Sequence, residues 1–482
     1  MSRMIHTIVQ CVLFFLTIYC YRAWLNRRKW QLLRRLPGPV NLPFIGAMYI
    51  IPGTDTAQYL RTLIELTANY GSPLCVWLGP LPVVIVSTAE HARTVLTSPA
   101  TMEKASFYRF TPLRGIFSLP VHQWRPHRKV IQPTFKLSIL QSFIPLFEQK
   151  ANIMVQNLSE KADQCDSFDI YRFTARCTLD MIFATTLGTN MHIQETSTCS
   201  YLEVLEELFE IVTVRAVNIF LHPEWLYQFT SVYKKEERAL KEFCQPSKQI
   251  LSQQKQDHAS TSFSLIDQLR NTMVYDGTTD DIEQELNTII FAGNETSAMT
   301  VANTILLIAM HPPVQRKLVD EIRILFGHDV SNIQYETLNK LTYMEMVLKE
   351  SLRMLPIAAV IGRKTTAEID LGDYRLPAGV DILIDIFDMH RNPAYWGPDA
   401  DRFRPERFAT ISYDRFSFLP FSAGPRNCVG LRYAWISMKI MLLKVLARYS
   451  LETDLKLAEL GMKMALTMKI VNGHMVRLKS RQ

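Results

Sequence analysis

Cys428 stands in the run Phe421-Ser-Ala-Gly424-Pro-Arg426-Asn-Cys428-Val-Gly430, directly ahead of an apolar stretch from Leu431 to Leu446. A glycine-rich turn lets backbone N–H groups point at a sulfur, and a helix N-terminus behind it adds positive potential. Both effects favour thiolate over thiol, and the thiolate is the form that binds metal. A single cysteine is more often an inert buried hydrophobe. That reading leaves an aromatic, an arginine and two glycines at fixed offsets unexplained.

Three further groupings could carry chemistry. Ala292-Gly293-Asn294-Glu295-Thr296-Ser297 lies midway along a stretch from Asp280 to Met310 that reads as one long helix, stopped by His311-Pro312-Pro313. Glycine and a hydroxyl pair are poor choices inside an ordinary helix. The glycine lowers the wall beside a ligand, and the threonine hydroxyl can leave its backbone bond to serve that ligand. The bland alternative is a polar kink packed in the core. Trp124 and Arg128 stand four residues apart, on one helical face, where an indole N–H and a guanidinium suit a shared anion. Glu350 and Arg353 pair at i, i+3; exposed, such a pair contributes well under ~1 kcal/mol.

The cysteine run matches F-x-x-G-x-R-x-C-x-G at every fixed position, and so resembles the haem-binding loop of the cytochrome P450 family. Similar motifs recur in order from about Pro37 to the end of the chain. The chain looks closest to the animal microsomal branch, family-4-like and insect in type. The resemblance implies that Cys428 ligates haem iron, within a loop that includes Phe421, Gly424 and Gly430. It implies that Thr296 hydrogen-bonds dioxygen and that Glu295 relays protons. Trp124, Arg128, Arg426 and Arg363 are similar to the family's propionate partners. Glu350 and Arg353, with Arg407 from Phe403-Arg-Pro405-Glu-Arg407-Phe408, resemble a structural triad that braces the cysteine loop. Ala292 departs from the fatty-acid ω-hydroxylases, many of which carry there a glutamate ester-linked to haem. The expected cofactor is therefore haem b held without a covalent tie, and a strict ω-hydroxylase assignment is weakened. Ser437 is a second departure, at a place where the family pattern has a glutamate.

The elements that position these groups follow from the same resemblance. The expected fold is mainly α, one large helical domain with a minor β region near Cys75–Val86 and after Pro356. The expected domains are residues 1–36, a membrane anchor and basic flank, and residues 37–482, the haem-thiolate catalytic domain. The N-terminal run from Met4 to Tyr21 is apolar and at the short end of a bilayer span. Seven basic residues and no acid lie in residues 1–54, and the remaining 46 basic residues equal the 46 acidic ones. Basicity is thus a juxtamembrane feature, which predicts a lumenal N-terminus and a cytosolic body on the endoplasmic reticulum membrane and excludes a nucleic-acid binder. Pro37-Gly38-Pro39 then reads as a stiff hinge. Eight scattered cysteines form no zinc or disulfide pattern.

The predicted activity is a monooxygenase that inserts one atom of O2 into a lipophilic small molecule: a fatty acid, terpenoid, hormone or xenobiotic. Two alternatives stand beside it, a haem-thiolate isomerase or dehydratase that uses no O2 and a non-catalytic haem-binding protein. Glu295-Thr296 favours oxygenation. Predicted substrate walls include Phe107, Phe110, Leu113, Ile116 and Phe117, residues 205–230, Ile357 to Val360 and the turn near Leu466. The segment from Phe209 to Phe229 is a candidate for contact with the membrane surface. No dinucleotide fingerprint is present. Electrons from NADPH then need a separate partner, NADPH–cytochrome P450 reductase, with cytochrome b5 as an additional one. Arg125, Lys129, Arg432 and Lys439 are candidate docking cations.

Overall fold

The computed structural model describes residues 27–51, 53, 55–196, 200–253, 264–271 and 279–481, with isolated positions between 6 and 21. The apolar run assigned to the anchor lies largely outside the described residues. Among the described residues no single helix is long and apolar enough to cross a membrane. The segment read as a hinge is docked: Cys75 N–H donates to the Pro37 carbonyl at 2.8 Å, which joins it to the strand Leu74–Leu78.

The body is predominantly helical, as the sequence predicts. Its axis is the helix Thr279–Met310, 32 residues or ~48 Å long. Ile290, Ala298, Val301, Ala302 and Ile305 to Ile308 are buried around its circumference, so it crosses the interior rather than lying on it. His311 ends it, Pro312 opens the next helix, Pro312–Phe326, and the two are bent by 113°. The helix Tyr171–Thr186 packs along the central one. A Cβ on Gly293 would meet Ile182 Cδ1 at 3.0 Å, Thr178 Oγ1 donates to Asn294 Oδ1 at 2.5 Å, and Thr174 Oγ1 donates to the Ala298 carbonyl at 3.1 Å. Gly293 therefore serves helix packing. It is also partly exposed, as are Ala292 and Thr296, so the expectation that it lowers a ligand wall is not touched by that contact.

The cysteine helix, Leu431–Arg448, buries Ile436 to Leu446 against the helix Ile144–Leu158 and the second half of the central helix. The β region falls where the sequence places it. Four strands run in the order Leu74–Leu78, Leu81–Val86, Asp381–Asp385, Val360–Lys364, with the middle pair parallel and the outer pairs antiparallel. A short hairpin, Met462–Met464 with Met468–Ile470, reaches back toward the central helix.

Glu350, Arg353 and Arg407 are fully buried. Glu350 accepts from Arg353 Nε and Nη2 at 2.8 Å each and from Arg407 Nε at 2.9 Å. The remaining guanidinium N–H groups go to the carbonyls of His390, Ala400, Trp396, Asp399 and Arg402. A buried charge costs several kcal/mol, and this degree of saturation is what makes it tolerable. His390 carries the brace onward, because its Nε2 accepts the N–H of Leu419, two residues before Phe421, at 2.8 Å.

Glu350→Ala leaves Arg353 buried without its anion and Arg407 with Asp399 alone. The expected loss is about 3–5 kcal/mol of unfolding free energy, read from denaturant midpoints. A loss under ~1 kcal/mol would put the triad with weak, screened surface pairs.

Candidate active site

The cysteine loop is closed by two bonds, Cys428 N–H to the Phe421 carbonyl at 3.0 Å and Asn427 N–H to the Gly424 carbonyl at 3.2 Å. Gly424 has φ +72°, and a Cβ there would stand 2.0 Å from the Leu96 carbonyl oxygen. Conformation and space both demand glycine. Gly430 caps the helix Leu431–Arg448, so the sulfur sits at a helix N-terminus as the spacing predicts. Its thiol has accessible surface yet lies deep inside the chain. Desolvation raises the Cys428 thiol above its ordinary value, while the Gly430 N–H, Arg128 and Lys104 pull it down. The Gly430 N–H and the nearby cations thus favour the thiolate, as the loop's spacing predicts, against that desolvation.

Cations crowd this sulfur. Arg128 donates through Nη1 to the Asn427 carbonyl at 3.0 Å and through Nη2 to Asn427 Oδ1 at 2.9 Å, so it clasps the loop directly. Trp124, one turn earlier on the helix Val121–Ile131, is buried with the Arg426 guanidinium 4.5 Å from its ring centre. Arg426 donates through Nε to the Met102 carbonyl at 3.1 Å and through Nη2 to the Leu119 carbonyl at 2.6 Å. Its Nη1 is buried without a partner. Arg363 bonds to the Gly362 carbonyl at 2.9 Å and to Ser422 Oγ at 3.3 Å. Lys104, which sequence reasoning missed, stands 4.4 Å from the Tyr108 ring centre and 5.2 Å from that of Phe117. Burial, then Arg363 and Arg426, push its ammonium well below the usual range. Burial and Arg363 bring Arg426 down to about 10. Such a cluster is unfavourable without anions, and a ligand with carboxylates fits it.

On the central helix, Ala292 and Thr296 share a face and are partly exposed. Thr296 Oγ1 donates to the Ala292 carbonyl at 2.8 Å. Glu295 is buried and turned elsewhere. Its Oε1 accepts from Thr467 Oγ1 at 2.8 Å and from Lys469 Nζ at 3.0 Å, while Oε2 is buried without a partner. The hairpin Met462–Ile470 therefore positions the acid, a role that no local spacing signals. Asn294 is fully buried.

The aromatic wall is present: Phe107 stacks on Tyr108 at 4.4 Å, Tyr108 meets Phe117 edge-on at 5.3 Å, and Phe209 stacks on Phe291 at 4.1 Å. Phe110 instead packs on His222 at 4.4 Å, beside a cavity of about 510 Å³ lined by Arg109, Arg215, Pro223 and Glu224. That cavity is charged and separate from the cysteine. Arg125, Lys129 and Arg432 are exposed. Lys439 is buried and paired with Glu345 at 3.0 Å, so it is withdrawn as a docking cation.

His390 links the triad to the cysteine loop in its neutral form. Burial, then Arg391 and Arg353, push its imidazole down to about 3 from an ordinary 6.5. The unfolded chain binds this proton first, so the stabilisation is full above pH 6.5 and is lost as pH falls toward 3. Wild type should therefore lose stability faster than His390→Gln as pH falls below 6.5, by about 1.4 kcal/mol per pH unit. Parallel curves for the two proteins in urea titrations would contradict it.

A family model for cytochrome P450 matches residues 36–473. Cytochrome P450 4V2 of Mus musculus is 29% identical over 483 residues, taking in 94% of this chain and 91% of that protein. Cytochrome P450 4d8 of Drosophila melanogaster is 32% identical over 84% of this chain and 93% of its own length. A second fly protein, described as probable cytochrome P450 313a4, is 28% identical over 98% of both chains. The family-4 likeness read from the sequence thus holds, across mammalian and insect proteins. A match of this length leaves one assignment: the chain belongs to the cytochrome P450 family and is a P450 monooxygenase.

Proposed function

We propose that the chain binds haem b through Cys428 and inserts one atom of O2 into a lipophilic small molecule. Electrons come from NADPH through a separate NADPH–cytochrome P450 reductase, with cytochrome b5 as a second donor. One observation carries this reading: buried Arg363 and Arg426, with Arg426 Nη1 lacking a partner, and half-buried Lys104 gather beside a solvent-accessible cysteine at a helix N-terminus. Haem answers both needs at once, a metal for the sulfur and carboxylates for the cations. When bound, it supplies reductive activation of dioxygen, which a thiolate ligand promotes.

The chain's own residues have the remaining work. Cys428 would hold the iron as thiolate, since coordination deprotonates a thiol. Arg426, Arg363 and Lys104 would anchor the propionates, with Trp124 and Arg128 fixing the same corner. Ala292 offers no carboxylate for a covalent tie. Phe421, Gly424 and Gly430 shape the loop, and Glu350, Arg353 and Arg407 keep its support rigid. Glu295 would take up protons on the Lys469 side, where that lysine is partly exposed, and would have to swing away from Thr467 and Lys469 to pass them toward the Thr296 hydroxyl. The isomerase, dehydratase and ligand-storage alternatives have no use for this acid and hydroxyl.

The apolar run between residues 4 and 21 would anchor a cytosolic domain of residues 37–482 to the endoplasmic reticulum membrane. Exposed Phe220, Trp225 and Phe229 support a second contact with the lipid surface.

Reconstitution with purified reductase, NADPH and a panel of fatty acids, terpenoids and sterols tests the activity. Substrate-linked NADPH consumption with an oxygenated product is expected. Glu295→Gln should slow turnover by about 10²-fold, and Thr296→Ala should lower product formed per NADPH consumed. Rearranged product formed without NADPH or O2 would favour the isomerase. A panel in which no member gives an oxygenated product would oppose the proposal.

A further inference from the structure

Glu285 has no part in the chemistry described so far, and its surroundings are unusual. Its side chain is fully buried, two turns before Ala292 on the same face of the central helix. Its two oxygens serve two different elements. Oε1 lies 2.5 Å from Nδ1 of His127, the neighbour of Arg128 on the helix Val121–Ile131. Oε2 accepts the backbone N–H of Ile116 at 2.9 Å.

Ile116 belongs to an irregular stretch between Thr111 and Pro120, the connection that carries Leu113 and Phe117. The central helix grips this loop at several points. Gln284 Oε1 accepts the Arg114 N–H at 3.0 Å. Gly115 lies so close to the helix that a Cβ would meet Thr288 Oγ1 at 2.2 Å and Glu285 Oε2 at 3.0 Å. At its far end the Leu119 carbonyl accepts from Arg426 Nη2 at 2.6 Å. The loop is thus bonded at one end to the cation cluster beside Cys428 and in its middle to a buried carboxylate.

A buried carboxylate costs several kcal/mol, and packing alone is served as well by an apolar residue of the same volume. A carboxylate differs in fixing one loop N–H and one imidazole at set distances. We propose that Glu285 and His127 form a positioning pair that locks loop 113–118 against the central helix and so preorganises the wall on which a bulky ligand packs. The inference rests on the proposed haem site for its functional meaning, but the loop's anchorage is independent of it. Glu285 acts through Ile116 and Gly115, and touches no reacting atom.

Hydrogen exchange and azole binding on the holoenzyme test this. In Glu285→Ala, amides of residues 113–118 should exchange at least about tenfold faster, as expected for a lost charge-assisted bond, with residues 350–354 unchanged. Glu285→Gln should recover most of that protection, because its amide oxygen still accepts the Ile116 N–H. 4-Phenylimidazole should bind about tenfold more weakly to Glu285→Ala, and imidazole within about twofold of wild type. Should Glu285→Ala fail to fold, His127→Ala is expected to give the same loop-selective acceleration to a smaller degree. Wild-type exchange at 113–118 in the variant that folds, or equal weakening of both azoles, would overturn the proposal. If wild type binds neither azole, the haem reading fails, and exchange alone still decides the loop.

Discussion

Burial of like charge beside the cysteine sulfur is the constraint on which the rest of the molecule depends. Desolvation pushes Cys428 up and Lys104 and Arg426 down, each toward its neutral form. A metal at the sulfur and carboxylates at the cations reverse both tendencies together. Such balance needs fixed geometry, because Coulomb energies in a poorly solvated interior change steeply with small displacements. Much of the fold can be understood as the means of fixing it.

The frame works through a few bonds to the loop. Arg128 clasps Asn427 from one side. The Glu350 triad supports the other through His390 and Leu419. Gly424 lets the loop reach the Leu96 carbonyl, where any side chain would collide. Opposite, the central helix is held by its packing on Tyr171–Thr186 and stopped by Pro312. It presents Ala292 and Thr296 on one face while the hairpin retains Glu295 on another.

Local spacing made part of this legible. The cysteine loop, Trp124 with Arg128, Glu350 with Arg353 and the long helix are each written within a dozen or so neighbouring residues. The end of the long helix followed from its proline stop, and the β regions from the family resemblance. Partners brought together from far apart were not legible. Lys104, His390, Lys469 and Glu285 are single polar residues whose roles exist only through contacts hundreds of residues distant in some cases. Lys439 shows the opposite error. A lysine on a basic-looking helix faces Glu345 inside the protein. Which way it faces cannot be read without knowing what lies opposite.

The ferrous carbonyl spectrum of the purified holoenzyme tests the central claim most directly. A thiolate-type Soret band in wild type, lost in a folded Cys428→Ser variant, is the predicted result. A histidine-type band in wild type, or a thiolate-type band that survives the substitution, would contradict Cys428 as the iron ligand.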